Sequence, residues 1–317
     1  MKKYDVVCIG VAIMDSIIRG FDPEPISAAG FRAESGSLNV GGDAVNEAVA
    51  LSKLGLRTAI LCSLGKDPAG DVIASELTRY NVDVNNVLRP VDHPTPITTI
   101  FVGADGNRRS ITNSAHRYNF HPEQYPQVFT DTRAIVMGSL FRAPFDDPAV
   151  IRSVAAAARA QGVMIFADTK LPNFRRLRLE DLADTLPIID FLTPNEDEAR
   201  FYTGKEDPGE MADVLLETGV RNVVIKLGSK GCYFKNRDFA LHVPAFGIDA
   251  VDATGAGDNF MAGLVSELIR GGTVPDALRV ASACGAICTT VVGACAGLES
   301  REQVRRFLAD VGKASTI

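Results

Sequence analysis

Hydrophobic and polar positions along this chain fall into two alternating rhythms. Short apolar runs at Tyr4 to Val11, Thr58 to Leu64, Ala134 to Gly138, Val163 to Asp168, Ile188 to Thr193 and Asn222 to Leu227 read as buried strands. Between them apolar residues recur at helical spacing: Val45, Ala48, Val49 and Ser52 up to a stop at Gly55, a helix running through Tyr80, and others at Pro148 to Gln161, Glu196 to Thr203 and Met211 to Thr218. Strands and helices taking turns with short connections predict a mostly parallel sheet covered by helices on both faces. Such sheets bind ligands at the carboxyl ends of their strands.

Two stretches break the rhythm. Residues 19 to 38, rich in Gly, Pro, Ser and charge without a sustained period, suit a loop or a small flanking sheet. Ile97 to Val102, a turn at Gly103-Ala104-Asp105-Gly106-Asn107 and Arg108 to Thr112 carry a β-hairpin signature. An antiparallel hairpin set into an alternating chain is a candidate lid. Beyond a β-rich stretch ending at Pro244, helical patterns follow at Asn259 to Arg270, Val274 to Thr290 and Ser300 to Val311.

The 317 residues, 46% hydrophobic and 23% charged, suffice for one large α/β domain or two modest ones. A net charge of -6 with a pI near 5.3 argues against a nucleic-acid partner held by a broad basic surface. The N-terminal apolar run is cut by Asp5 and Asp15, and no signal-type cleavage pattern follows Lys2-Lys3, so no membrane segment is expected and the chain reads as cytoplasmic. None of the six cysteines forms a CxxC pair. Cys284 and Cys288 share a helix face with Cys295 nearby, but no histidine or acidic ligand accompanies them, which favours core thiols over a soft-metal site.

Candidate chemistry concentrates at Asp252-Ala253-Thr254-Gly255-Ala256-Gly257-Asp258, where an extended segment turns into a helix. A helix start offers unpaired N–H groups and a partial positive charge to an anion, phosphate above all, and the small residues let it approach. Asp258 beside such an anion suits a base that takes the proton of an attacking alcohol. The competing reading is that Asp258 merely favours the helix dipole and the glycines merely turn the chain. Gly41-Gly42-Asp43-Ala44-Val45-Asn46 is a second glycine-rich helix start, with Asp43 as N-cap and the Asn46 amide turned back over the diglycine. Asp15 is either a turn-former at the end of a core strand or a ligand for hydroxyls. Asp15, Gly41, Gly42, Asp168, Asn195, Gly228 and Asp258 all follow strand signals, so they are expected to converge on one edge.

With the diglycine and Asp252-to-Asp258 segments in hand, the chain resembles the ribokinase-like, or PfkB, family of sugar and nucleoside kinases over nearly its full length. Asn195 to Glu198 matches that family's Asn-x-x-Glu element, and Leu227-Gly228-Ser229-Lys230-Gly231 its nucleotide-side glycine loop. The resemblance implies an α/β, ribokinase-like three-layer sandwich, with residues 1–317 as a single domain and a small β-sheet lid formed by segments of about 12–40 and 95–118. It implies phosphoryl transfer from ATP to a hydroxyl of a free sugar or sugar-like polyol. Asp258 would be the base, and Gly255, Ala256 and Gly257 the anion hole for the γ-phosphate. Asp15, Gly41, Gly42 and Asn46 would hold the acceptor, and Asn195, Lys226, Gly228 and Gly231 the ATP. Glu198 would organise Mg2+ through water, and Asp252 with the loop around Gly293 a monovalent cation such as K+. A homodimer is implied by the same resemblance.

Departures from the pattern bear on the acceptor. Met137 to Phe141 ends in an apolar pair where ribokinase-type members carry a carboxylate, and Asp168-Thr169-Lys170 replaces the Asp-x-Asn run of fructose-type members. Lys226 replaces a small hydroxyl residue; it either reaches a phosphate or is a plain exposed lysine. Arg108 and Arg109 either meet a phosphorylated or acidic acceptor or are solvated. The alternative reading is a nucleoside kinase of the same fold, with Phe101, Tyr118 and Phe120 walling a base slot. A dinucleotide oxidoreductase and a P-loop enzyme are disfavoured for want of their glycine motifs, and a sugar sensor would lack the base.

Overall fold

Apolar runs form the centre of the fold in a computed structural model that describes residues 2–20, 32–103, 107–113, 120–173 and 175–314. In chain order the strands are β1 (Tyr4–Ile9), β2 (Ile13–Arg19), β3 (Ser35–Gly41), β4 (Thr58–Leu61), β5 (Ile97–Val102), β6 (Arg108–Thr112), β7 (Thr132–Leu140), β8 (Met164–Thr169), β9 (Phe191–Thr193), β10 (Asn222–Lys226), β11 (Cys232–Asn236) and β12 (Ala240–Val243). Eight of them form one sheet in the order β12-β11-β10-β9-β8-β7-β1-β4. Its strands from β4 to β10 are parallel, and β11 and β12 continue it antiparallel.

The helices are α1 (Asp43–Lys53), α2 (Pro68–Arg79), α3 (Pro126–Asp131), α4 (Pro148–Ala160), α5 (Glu196–Thr203), α6 (Pro208–Glu217), α7 (Ala256–Ile269), α8 (Val274–Thr289) and α9 (Arg301–Ala314). Strand alternation sorts the core into two layers. In β1, Val6 and Cys8 join the cluster under α1, α7 and α8, while Tyr4, Val7 and Ile9 join the cluster under α4 and α6. The sheet is thus buried on both faces, as the uninterrupted apolar strands require. Helix α7 packs closely on α8, since a Cβ added to Gly263 would stand 2.7 Å from Cα of Ala281.

A second sheet has the order β3-β2-β5-β6, with β2 antiparallel to β3 and parallel to β5, and β5 antiparallel to β6. It contains the hairpin read from 97–112, whose turn residues 104–106 lie outside the described set.

Three expectations are corrected. Asp15 is not at the end of a core strand but inside β2 of the second sheet, opposite Asn39 and Thr98. Asp43 is not the N-cap of α1: Gly42 takes that position at φ 99°, a left-handed backbone, and Asp43 is the first helical residue. The strand read from Ile188 starts only at Phe191, because Leu186–Ile188, with Pro187 inside, forms a single 3-10 turn.

Candidate functional site

The carboxyl ends of β8, β9 and β10 and the N-termini of α1, α5 and α7 meet around a cleft of about 1400 Å³, which the second sheet also lines. Asp15, Gly41, Gly42, Asn46, Asn195, Glu198, Lys226, Gly228, Gly231, Asp252, Gly255, Ala256, Gly257 and Asp258 all line it.

The start of α7 is built by Gly255, its N-cap at φ 77°. A Cβ there would lie 2.5 Å from Cβ of Ala294, whereas one on Gly257 would meet only the Lys226 ammonium, at 3.4 Å. Gly255 therefore serves the backbone and its packing; Gly257 leaves the helix start open beside a cation. Asp252 anchors the approach by accepting from the Thr254 N–H at 3.0 Å, the Thr254 hydroxyl at 2.7 Å and the Gly293 N–H at 3.0 Å. Burial opposes ionisation of Asp252, but these donors hold its pKa below the usual range.

Asp258 lies in the first turn of α7, buried, with its Oδ2 accepting from the Asn46 amide at 2.7 Å. The Asn46 side chain thus faces Asp258, rather than folding back over the diglycine. Burial, then the charge of Asp43, pushes the Asp258 carboxyl up to about 7, against the pull of Lys170 and the Asn46 hydrogen bond. A carboxylate with a pKa near neutrality at an open helix start has the chemistry to exchange a proton with a neighbouring hydroxyl.

The diglycine is closely packed. A Cβ on Gly41 would collide with the Asp15 carboxylate, and one on Gly42 with the Val11 carbonyl. Burial raises Asp15 to about 6. Asp43 accepts from the Ser139 hydroxyl and pairs with Lys170 at 3.3 Å. Ser139 reaches it because the β7–β8 register is irregular between Met137 and Leu140, where Ser139 itself has φ 62°.

On the opposite side, Lys226 is not an exposed lysine: its side chain is 13% exposed and bonds Asp168 at 2.6 Å. Burial pulls its pKa down, but Asp168 and Glu198 outweigh it and hold it above the usual value. Asn195 and Glu198 form a reciprocal capping box on α5, and Glu198 also accepts from the Thr169 hydroxyl at 2.8 Å. Gly228 has φ 58° with open space around it, while Gly231, at φ 97°, admits no side chain because a Cβ would strike the Val243 carbonyl.

Residues 3–301 match the family described as pfkB family carbohydrate kinase. The chain belongs to that family. This carbohydrate kinase is 30% identical to fructokinase-2 of Zea mays over 83% of its own length and 83% of that protein's. It is 22% identical to an ATP-dependent 6-phosphofructokinase of Thermoanaerobacterium thermosaccharolyticum, over 96% of this chain and 94% of the other. The structure of Arabidopsis thaliana ribokinase complexed with ribose and ATP superposes with a TM-score of 0.85 at 24% identity, covering 96% of the kinase and 98% of that chain, which shows the shared fold.

Sequence reasoning missed three site residues of the kinase. Asn259, fully buried, donates to the Gly255 and Ala294 carbonyls, each at 2.8 Å, and so clamps the turn before α7. Lys170 pairs with Asp43 from the end of β8. Glu47 is fully buried on α1 with neither carboxyl oxygen hydrogen-bonded, and its ligand atom lies within 4.8 Å of those of Asp168 and Asp258. Burial, then the charges of Asp258 and Asp168, keeps Glu47 protonated far above the usual carboxylate range. The polar residues Asn259 and Glu47 inside apolar helix faces were the available signal.

Proposed function

We propose that this kinase moves the γ-phosphate of ATP to a hydroxyl of a sugar or sugar-like polyol, with Asp258 as the base and the Gly255 to Gly257 N–H groups as the anion hole. The observation that carries this reading is the position of the Asp258 carboxylate, near neutral pKa, in the first turn of α7 beside an unobstructed helix start. Asp15, Gly41, Gly42 and Asn46 orient the acceptor hydroxyl toward Asp258, which takes its proton as the oxygen attacks phosphorus. The helix N-terminus and the Lys226 ammonium stabilise the charge that gathers on the transferring group. Asn195, Gly228 and Gly231 border the triphosphate.

The oxygen donors at Glu198 and Asp168 suit a hard divalent cation, and Mg2+, held by Glu198 through water, would neutralise phosphate charge. Asp252 with the loop around Gly293, whose N–H it already accepts at 3.0 Å, would be the place for a monovalent cation such as K+, and no step is assigned to it. The smaller sheet acts as a lid that excludes water from the cleft. Its exposed Leu38 and Ile111 fit pairing with a second copy, hence a homodimer. No helix among the described residues is long and apolar enough to cross a membrane, which is compatible with a cytoplasmic enzyme.

A nucleoside acceptor receives less support. Phe101 sits in register with Ile18 and Arg109, on the sheet face opposite to Asp15, and Phe120 packs against the core cluster under α4. Tyr118 lies outside the described residues. The reading is tested by ADP release with ATP and Mg2+ across sugars, polyols, sugar acids, sugar phosphates and nucleosides. Turnover confined to nucleosides would replace the sugar reading.

A further inference from the structure

The strand register of the smaller sheet builds a row that the proposed reaction does not yet use. Arg19 on β2 is paired with Val102 on β5, and Val102 with Arg108 on β6. Residues opposite one another in register point to the same face of a sheet. That face is the one that turns Asp15, Ile17 and Ile100 toward the cleft, and Arg19, Val102 and Arg108 line the cleft with them. Arg109, one residue on, is in register with Phe101 and so belongs to the opposite face.

Neighbouring strands lie about 4.8 Å apart, so the two arginine stems stand roughly 10 Å from each other with buried Val102 as the floor between them. Two guanidinium groups at that spacing can close on one carboxylate or phosphate from both sides. Among the described residues neither Arg19 nor Arg108 is engaged in an ion pair, whereas Arg57, Arg79, Arg89, Arg159 and Arg200 each hold a carboxylate.

The charge pattern fixes which end of an acceptor belongs here. The floor of the cleft gathers Asp43, Asp168, Asp258 and Glu198, partly balanced by Lys170 and Lys226, and repels a further anion. The arginine row is four residues along β2 from Asp15, roughly 13 Å of strand, which an arginine arm folded inward shortens toward the length of a sugar chain.

We infer that the acceptor of this kinase is an anionic sugar, a sugar acid or sugar phosphate, whose negative group is held by Arg19 and Arg108 while its far hydroxyl reaches Asp258. This rests on the reading of the cleft as the phosphotransfer site.

The test is initial-rate kinetics with matched neutral sugars, aldonates or ketoaldonates, and terminal sugar phosphates of five and six carbons, using the native chain, Arg19→Gln, Arg108→Gln and Arg108→Lys. The expected result is a best acceptor that is anionic. Its preference over the neutral match in kcat/KM should fall roughly 10- to 100-fold in each Gln variant, the range for losing a charged hydrogen bond, with partial recovery in Arg108→Lys and an unchanged KM for ATP. The acid and phosphate arms identify which anion is read. A neutral sugar as the best acceptor, with its kinetics untouched by the variants, would overturn the inference. So would a rise in KM for ATP shared by all acceptors, which would assign the arginines to the donor. Silence with every acceptor despite ATP binding would overturn the kinase reading and this inference with it.

Discussion

The Asn46 amide donates to Oδ2 of Asp258 at 2.7 Å, joining two helix starts 212 positions apart in the chain. The Cys295 thiol in turn donates to Oδ1 of the Asn46 side chain at 3.4 Å, which fixes the orientation of the amide. A carboxylate held this way is pre-aimed, and if it is the base its removal should affect chemistry rather than nucleotide binding. Asp258→Asn is expected to lower kcat by roughly three orders of magnitude or more with little change in the Kd for ATP. Coupled ADP-release kinetics and calorimetric ATP titration check both halves, and near-native turnover would remove Asp258 from the role of base.

The pH dependence of turnover should carry the signature of the same pair. With the Asp258 carboxyl near 7, activity should rise as pH increases through about 7, because the base works only when deprotonated. The Asn46 hydrogen bond favours the charged form, so Asn46→Ala is expected to move that acid limb to higher pH. An acid limb at the same pH in both proteins would mean that another group controls the profile.

Stability should run opposite to activity. An ordinary aspartate titrates near 4 when unfolded, whereas Asp258 titrates near 7 in the fold, so the unfolded chain loses its proton first. The native state is therefore favoured below pH 4 and loses that advantage as pH rises to 7. Asp258→Asn, which never ionises, should show a Tm advantage over the native chain that grows from pH 4 to 7 and then levels off. Thermal melts across that range test it; an advantage independent of pH would refute the assignment.

The two glycines before and inside α7 should separate folding from chemistry. Gly255→Ala forces φ 77° on a residue with a Cβ and drives that Cβ into Ala294, so a loss of about 2 kcal/mol or more is expected. Gly257→Ala meets only the end of Lys226 and has no such backbone strain. It should melt close to the native chain yet turn over poorly, because its methyl intrudes on the open helix start. Equal Tm losses in the two variants would contradict this division.

The parallel sheet and its helices were legible because burial on both faces leaves uninterrupted apolar runs and 3.6-residue spacing in the sequence. The glycine-rich helix starts were legible because local backbone demands write themselves locally. What escaped was set by distant partners. Asp15 reads as a strand-end carboxylate until pairing with Asn39 and Thr98 puts it in another sheet. Glu47 stands among apolar neighbours on α1, but only the approach of Asp168 and Asp258 makes that buried acid part of the site. Asp43 looks like an N-cap, but the left-handed Gly42 takes that place and frees the carboxylate for Ser139 and Lys170.

Lys226 illustrates the same limit, since its partner Asp168 lies 58 residues away and the pair is almost sealed from water. Asp168 also accepts from the Thr193 hydroxyl at 3.0 Å and the Thr169 N–H at 2.9 Å, so Lys226→Met would leave a buried carboxylate with two neutral donors but without its ion-pair partner. Breaking one side of such a pair typically destabilises by about 3 to 5 kcal/mol, whereas replacing both partners is far milder. Lys226→Met should therefore lower stability by that order, and adding Asp168→Asn should restore most of it in a double-mutant cycle. Turnover should stay low in the double variant, because the ammonium beside Gly257 is still missing from the anion site. Recovery of both stability and kcat would reduce Lys226 to a structural counter-ion; recovery of stability alone would tie it to the transferring phosphate.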